Sequence, residues 1–87
     1  MTIQEDAIEI LDYIYSEYVN NNRLVGTTEL LTNFDNYGGN RIDRAIKFLR
    51  DERFIDIILL LGNDRGLQNF ILRKINPSGI RKAESRL

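Results

Sequence analysis

The side chains that carry most enzymatic and metal chemistry are missing from this chain. Its 87 residues include no histidine and no cysteine. That excludes Ser-His-Asp triads, imidazole acid–base steps, thiolate nucleophiles, disulfides and most zinc or iron sites. Chemistry would fall to Asp, Glu, Lys, Tyr, Ser and Thr. No carboxylate pair has metal-ligand spacing or a glycine-rich phosphate loop around it. The segment Gly62-Asn63-Asp64-Arg65-Gly66 lacks the Lys-Ser/Thr of a P-loop, and Asn63 with Asp64 falls short of an EF-hand loop. No enzymatic activity, cofactor or metal is expected. What the residues do offer is segregated charge. Residues 1–39 hold one base, Arg23, against seven acids, a net charge of −6. Residues 40–87 hold eleven bases against six acids, a net charge of +5. Guanidinium and ammonium groups gathered in one half suit a polyanion, and leave the acidic half for something else.

These charges need a scaffold, and the length allows one small domain spanning 1–87. Apolar residues at 43% and charged residues at 29% match an ordinary globular protein. The longest apolar run, Ile57 to Leu61, is far short of the roughly 20 residues of a membrane helix. The N-terminal residues lack the basic start and apolar stretch of a signal peptide, so a cytoplasmic protein with no membrane contact is expected.

Helical periodicity dominates the first half. Thr2 and Glu5 fit a capping box. Ile3, Ala7, Ile10, Leu11, Ile14 and Tyr18 recur at helical spacing, widened by Ile8, Tyr15 and Val19. The spacing predicts a helix over residues 3–20, stopped by Asn20-Asn21-Asn22. Arg23 to Gly26 reads as a short strand. Thr27 or Thr28 would cap a second helix through Phe34. Asp35 to Gly39 is a turn by composition. Asn40 would cap a third helix reaching Arg53. On it Ile42, Ala45, Ile46 and Leu49 fall within about 100° of one another. Arg44, Lys47 and Asp51 lie opposite, with Arg41 on one edge. Phe54 to Leu61 reads as a strand, 62–66 as a hairpin loop with two glycines, and Leu67 to Ile75 as the returning strand. Pro77 suits the first turn of a short final helix ending at Glu84. The fold class is mainly α with a small β-hairpin: three core helices, a sheet of two or three strands, and the C-terminal helix.

This order of elements resembles the winged helix-turn-helix superfamily of DNA-binding domains. Thr27-Thr28-Glu29-Leu30-Leu31 looks like its support helix, and Asn40 to Ile55 like its recognition helix entering the first wing strand. Phe70 to Ile80 is similar to the phrase that closes the wing in many members, with MarR-like and PadR-like regulators nearest. The likeness covers residues 3–84 and rests on the ordered combination, since no single motif is diagnostic. It implies a helix placed in the major groove and a wing on backbone or minor groove. On that alignment Arg41 and Arg44 reach base edges, and Asn40 a base or a phosphate. Lys47 contacts phosphate or base, Thr28 a phosphate at the start of the second helix, and Arg65 the minor groove or a phosphate. Asn69 and Arg73 would add contacts along the wing. The acidic pI of about 5.3 departs from strongly basic DNA-binding domains, a departure concentrated before residue 40.

The implied role is a small repressor-like transcription regulator that binds double-stranded DNA as a homodimer. Helix 1 and the strand Ile55–Leu61, apolar on both faces, are its dimer surfaces. The competing reading is a winged helix that binds protein and no DNA. It expects Arg44 and Lys47 neutralised by Asp43 and Asp51, with apolar groups exposed on the wing. Tyr13, Tyr15, Tyr18 and Tyr37 are read as packing groups rather than base-stacking platforms, three of them lying on the acidic helix.

Overall fold

The computed structural model describes residues 2–87. Within them lie four helices and a two-stranded antiparallel hairpin, an α+β arrangement. The elements are α1 (Ile3–Asn21), α2 (Thr27–Asn33), α3 (Gly39–Asp51), β1 (Ile55–Asp64), β2 (Leu67–Ile75) and α4 (Pro77–Glu84). No helix among the described residues is long and apolar enough to cross a membrane.

The core forms where α1 crosses α3 and both meet the hairpin. Ala7, Ile10, Leu11 and Ile14 of α1 are fully buried, as are Ile42, Ala45 and Leu49 of α3. Leu67, Phe70, Leu72 and Ile75 of β2 close the remaining side, with Ala83 of α4 beneath. Each large aliphatic taken out of water here contributes about 1.5–3 kcal/mol. The apolar stripe of α1 is narrower in space than in sequence. Ile3, Tyr18 and Val19 are exposed, because α3 covers only the middle of the longer helix.

Local chemistry sets the ends of the elements. The Thr2–Glu5 capping box is formed in both directions, at 2.9 and 3.1 Å. Asn22 ends α1 in the left-handed region at φ 52°. Residues 23–26 form no strand, and neither Thr27 nor Thr28 caps α2; that position falls to Gly26. Thr27 does something else. Its Oγ1 accepts from the Phe70 N–H at 3.2 Å and donates to the Phe70 carbonyl at 3.3 Å. One hydroxyl thus occupies the β2 edge where a third strand would have paired. Thr27→Val should remove both bonds and leave Phe70 backbone groups unpartnered. We expect a loss of about 1–3 kcal/mol in urea unfolding, with Thr27→Ser retaining most of the wild-type value.

The third helix starts earlier and ends earlier than expected. Gly38, at φ 78°, is its N-cap, which puts Asn40 inside the first turn rather than at the cap. At the other end Arg53 turns left-handed at φ 62°, so α3 stops at Asp51. The carbonyl of Arg53 accepts from Asn76 Nδ2 at 3.0 Å and from Ser78 Oγ at 2.7 Å, tying the end of α3 to the start of α4. Pro77 opens α4 as expected.

The hairpin departs most from the sequence reading. The expected loop 62–66 contracts to a two-residue turn, Arg65-Gly66, and β1 runs on to Asp64. Both turn residues have positive φ, 56° and 97°, matching the right-handed twist of the strands. Two bulges break the ladder. Arg73 is the extra residue of β2, between the pairs Asp56↔Lys74 and Ile57↔Leu72. On β1, Leu60, Leu61 and Gly62 face the single residue Asn69, between Leu59↔Phe70 and Asn63↔Gln68. The simple alternation of faces along 54–61 therefore fails beyond Leu59, and Ile58 through Leu61 are all exposed.

Candidate nucleic-acid interface

The core stripe of α3 fixes what its other face presents. With Ile42, Ala45, Ile46 and Leu49 inward, Asn40, Arg44 and Lys47 fall within about 60° of arc on the outside. Arg44 is exposed, and its side chain has neither hydrogen bond nor ion pair among the described residues. Lys47 is partly exposed and pairs with Asp43 Oδ2 at 2.9 Å. The other oxygen of Asp43 accepts the Gln68 N–H at 3.0 Å, so this carboxylate also holds β2 against α3.

The hairpin turn completes the upper end of this face. Gly39 packs so closely on it that a Cβ there would lie 2.0 Å from the Arg65 carbonyl oxygen. A Cβ on Gly66 would lie 2.2 Å from Asn40 Oδ1. The turn is thus seated on the first turn of α3. An open hollow of about 300 Å³ results, lined in part by Asp35, Gly38, Asn40, Arg41 and Arg65. The Arg65 side chain is mostly exposed and, among the described residues, its one ion pair is with its neighbour Asp64, at 3.2 Å. A surface pair of this kind is worth at most about 1 kcal/mol and yields readily to a phosphate. A second hollow, of about 330 Å³, lies on the other flank of α3 and holds Asp43, Lys47, Leu61, Gly62 and Asn63.

Arg41 is different in kind. It points off the outer face toward α1, where Nε and Nη2 donate to the two oxygens of Asp6 at 2.9 and 2.8 Å. Its guanidinium also stacks on the Tyr37 ring, 4.1 Å from the centroid. Asp6 is 7% exposed, and its bonds to Arg41 hold its carboxyl below the usual range. Arg41 lines the first hollow, yet its donors are turned to a carboxylate. Thr28 is exposed on α2 and lines neither hollow, so the structure does not bring it to this group. Asn69 and Arg73 serve the hairpin: Asn69 Nδ2 donates to the Leu61 carbonyl at 3.4 Å, and Arg73 forms the β2 bulge. Asp6 and Gln68 were not singled out by sequence, and Leu61 only as part of the apolar strand Ile55–Leu61, since their partners lie far off in the chain or depend on strand register.

Tyr13, Tyr15 and Tyr37 pack and carry hydrogen bonds, whereas Tyr18, expected to pack as well, is exposed. Tyr13 donates to Glu29 at 2.6 Å and stacks edge-on to Phe34. Tyr15 donates to Glu84 at 2.6 Å and Tyr37 to Glu9. Burial followed by Glu29 pushes Tyr13 up to about 12, and the bond to Glu9 pushes Tyr37 up to about 12. These shifts give stability a sign at each end of the pH range. Both phenols keep their protons longer folded than unfolded, so stability falls as pH rises from about 10 to 12. The contribution of Asp6 is present above about 3.9 and fades as pH falls through its lowered folded value. Urea midpoints measured against pH should show both slopes. Tyr13→Phe with Tyr37→Phe should flatten the alkaline one, and Asp6→Asn the acid one. Unchanged slopes would remove these groups as the cause.

Among the described residues no group of three or more Asp or Glu side chains is placed to hold a metal ion. The arrangement assembles exposed cations, one amide and an apolar bulge along one helix. No family model, curated protein or solved structure matches this chain.

Proposed function

We propose that the chain is a winged-helix DNA-binding module, a small repressor-like transcription regulator that sets α3 into the major groove of double-stranded DNA. The observation that carries this reading is the outer face of α3. Asn40, Arg44 and Lys47 share one seam, Arg44 is unpaired among the described residues, and the hairpin turn seats Arg65 at the upper end. Arg is suited to guanine and Asn to adenine in that groove, and Lys47 and Arg65 to phosphate. The acidic α1 packs behind α3, which keeps most of its negative charge off this face. A homodimer belongs to the same proposal. Tyr18 and Val19 on α1, with Ile58, Leu59 and Leu60 on β1, are exposed apolar groups on the two surfaces it would use. Two recognition helices would then engage two half-sites.

The test is fluorescence anisotropy of a labelled duplex of about 25 base pairs, titrated with protein across a salt series. Log affinity should fall linearly with log salt concentration, as counterions are released from neutralised phosphates. No binding at about 20 mM salt would overturn the proposal. The alternative, a winged helix that binds protein, is favoured by one observation: Ile58, Leu59, Leu60 and Ile71 stay 38–50% exposed on the hairpin. It expects no duplex binding at any salt concentration, and a stable complex with a protein partner lost on Ile58→Asp with Ile71→Asp.

A further inference from the structure

The part of the hairpin that projects from the molecule is its bulge, not its turn. The Arg65-Gly66 turn is packed down on Gly39 and Asn40. The ladder opens instead at Leu60-Leu61-Gly62, opposite Asn69. The bulge is held open by built contacts. Gln68 Nε2 donates to the Leu60 carbonyl at 3.1 Å and Asn69 Nδ2 to the Leu61 carbonyl at 3.4 Å. Gly62 permits the sharp reversal at φ 87°. Bulges of this kind re-aim a side chain beside a functional surface. The side chain re-aimed here is Leu61, which is 97% exposed. The other exposed aliphatics of the hairpin keep half or more of their surface covered. A fully solvated leucine on a deliberately braced bulge adds nothing to the fold.

Its position gives it a use. Leu61, Gly62 and Asn63 line one hollow with Lys47, on the flank of the outward face of α3. The Asp43 carboxylate shares that hollow, committed to Lys47 and to the Gln68 N–H. We propose that Leu61 is an apolar wedge that enters the minor groove and opens a base step when α3 lies in the adjacent major groove. This rests on the DNA-binding reading. Apolar side chains inserted between base steps unstack them and bend the duplex, and Lys47 one turn along α3 would hold the neighbouring phosphate. The wedge also gives a small acidic protein contact energy that does not depend on salt.

The experiment uses the full chain and a duplex of about 25 base pairs with donor and acceptor dyes at its ends. Saturating wild-type protein should raise energy transfer by bending the duplex. Leu61→Ala should bind about tenfold more weakly, lose the rise in transfer, and keep the wild-type salt slope, since no charge is removed. Leu61→Met should keep both affinity and bend. Because Leu61 touches almost nothing, neither variant should change the unfolding midpoint. Wild-type binding with Leu61→Ala indistinguishable in affinity and transfer would overturn the wedge and leave the DNA-binding reading standing. Weaker binding by Leu61→Ala with no bend in the wild type would also overturn it, reducing Leu61 to a surface contact. Absence of wild-type binding at about 20 mM salt would overturn the wedge and the DNA-binding reading together.

Discussion

Alanine in place of Gly39 is expected to lower stability by about 3 kcal/mol or more. The added Cβ would sit 2.0 Å from the Arg65 oxygen, 2.6 Å from its carbonyl carbon and 3.0 Å from the Leu67 nitrogen. All three are backbone atoms, so no side chain can rotate away. Either the hairpin turn lifts off α3 or the first turn of α3 unwinds. A chain of this length holds roughly 4–13 kcal/mol in total, so the variant would stand close to unfolding at ordinary temperature. The melting temperature should fall by more than about 12 °C. Gly26→Ala is the control, because nothing lies within 4 Å of the added carbon and the backbone there is extended. Thermal denaturation by circular dichroism would decide it. Equal melting temperatures for the two variants would show that the turn is not seated on α3. The same clash has a functional reading, since Gly39→Ala would also lift the Arg65-Gly66 turn off the start of α3 and open the first hollow.

The features legible in the sequence are those whose partners are near in the chain. The stripe Ile42, Ala45, Ile46, Leu49 announces α3 because four residues within about two turns already define a face. Thr2 with Glu5 and Asn76 with Pro77 announce helix starts for the same reason. Arg44 and Lys47 were legible as a shared face on these grounds alone, whereas Asn40 reads as a cap and joins that face only because Gly38 takes the cap position. The pair Asp6–Arg41 was not: the two residues are 35 positions apart, and nothing local separates a pinned arginine from an exposed one. The Thr27 bonds to Phe70 span 43 positions and replace a strand that composition alone would have drawn. The bulge at Leu60–Gly62 depends on register, which is fixed only when Phe70 is buried and both glycine-bearing stretches find their places. Non-local pairing is where pattern reading stops, and here it decides which cations are available and which part of the hairpin projects.

Substituting Arg44, Lys47 and Arg65 together by alanine should therefore separate from Arg41→Ala in opposite directions. The triple variant removes three cations that are exposed or held only by surface pairs. Its log affinity against log salt should be shallower by about 2.7 per subunit, weakening duplex binding by roughly two to three orders of magnitude near 0.1 M salt. Its unfolding midpoint should move little, because surface ion pairs contribute about 1 kcal/mol or less each. Arg41→Ala leaves Asp6 charged and 7% exposed with its bidentate partner gone, and takes the cation off the Tyr37 ring. A loss of about 2–3 kcal/mol in stability is expected, with the salt slope close to wild type. Anisotropy over a salt series and urea unfolding of both variants measure the two quantities independently. A flattened slope with unchanged stability in Arg41→Ala would make Arg41 a phosphate contact after all, with Asp6 merely holding it until DNA arrives. A wild-type slope in the triple variant would move the phosphate contacts elsewhere on the basic half. The exposed bases Arg73, Lys74, Arg81 and Lys82, at the far end of the hairpin and on α4 and unpaired among the described residues, would then be the next positions to substitute.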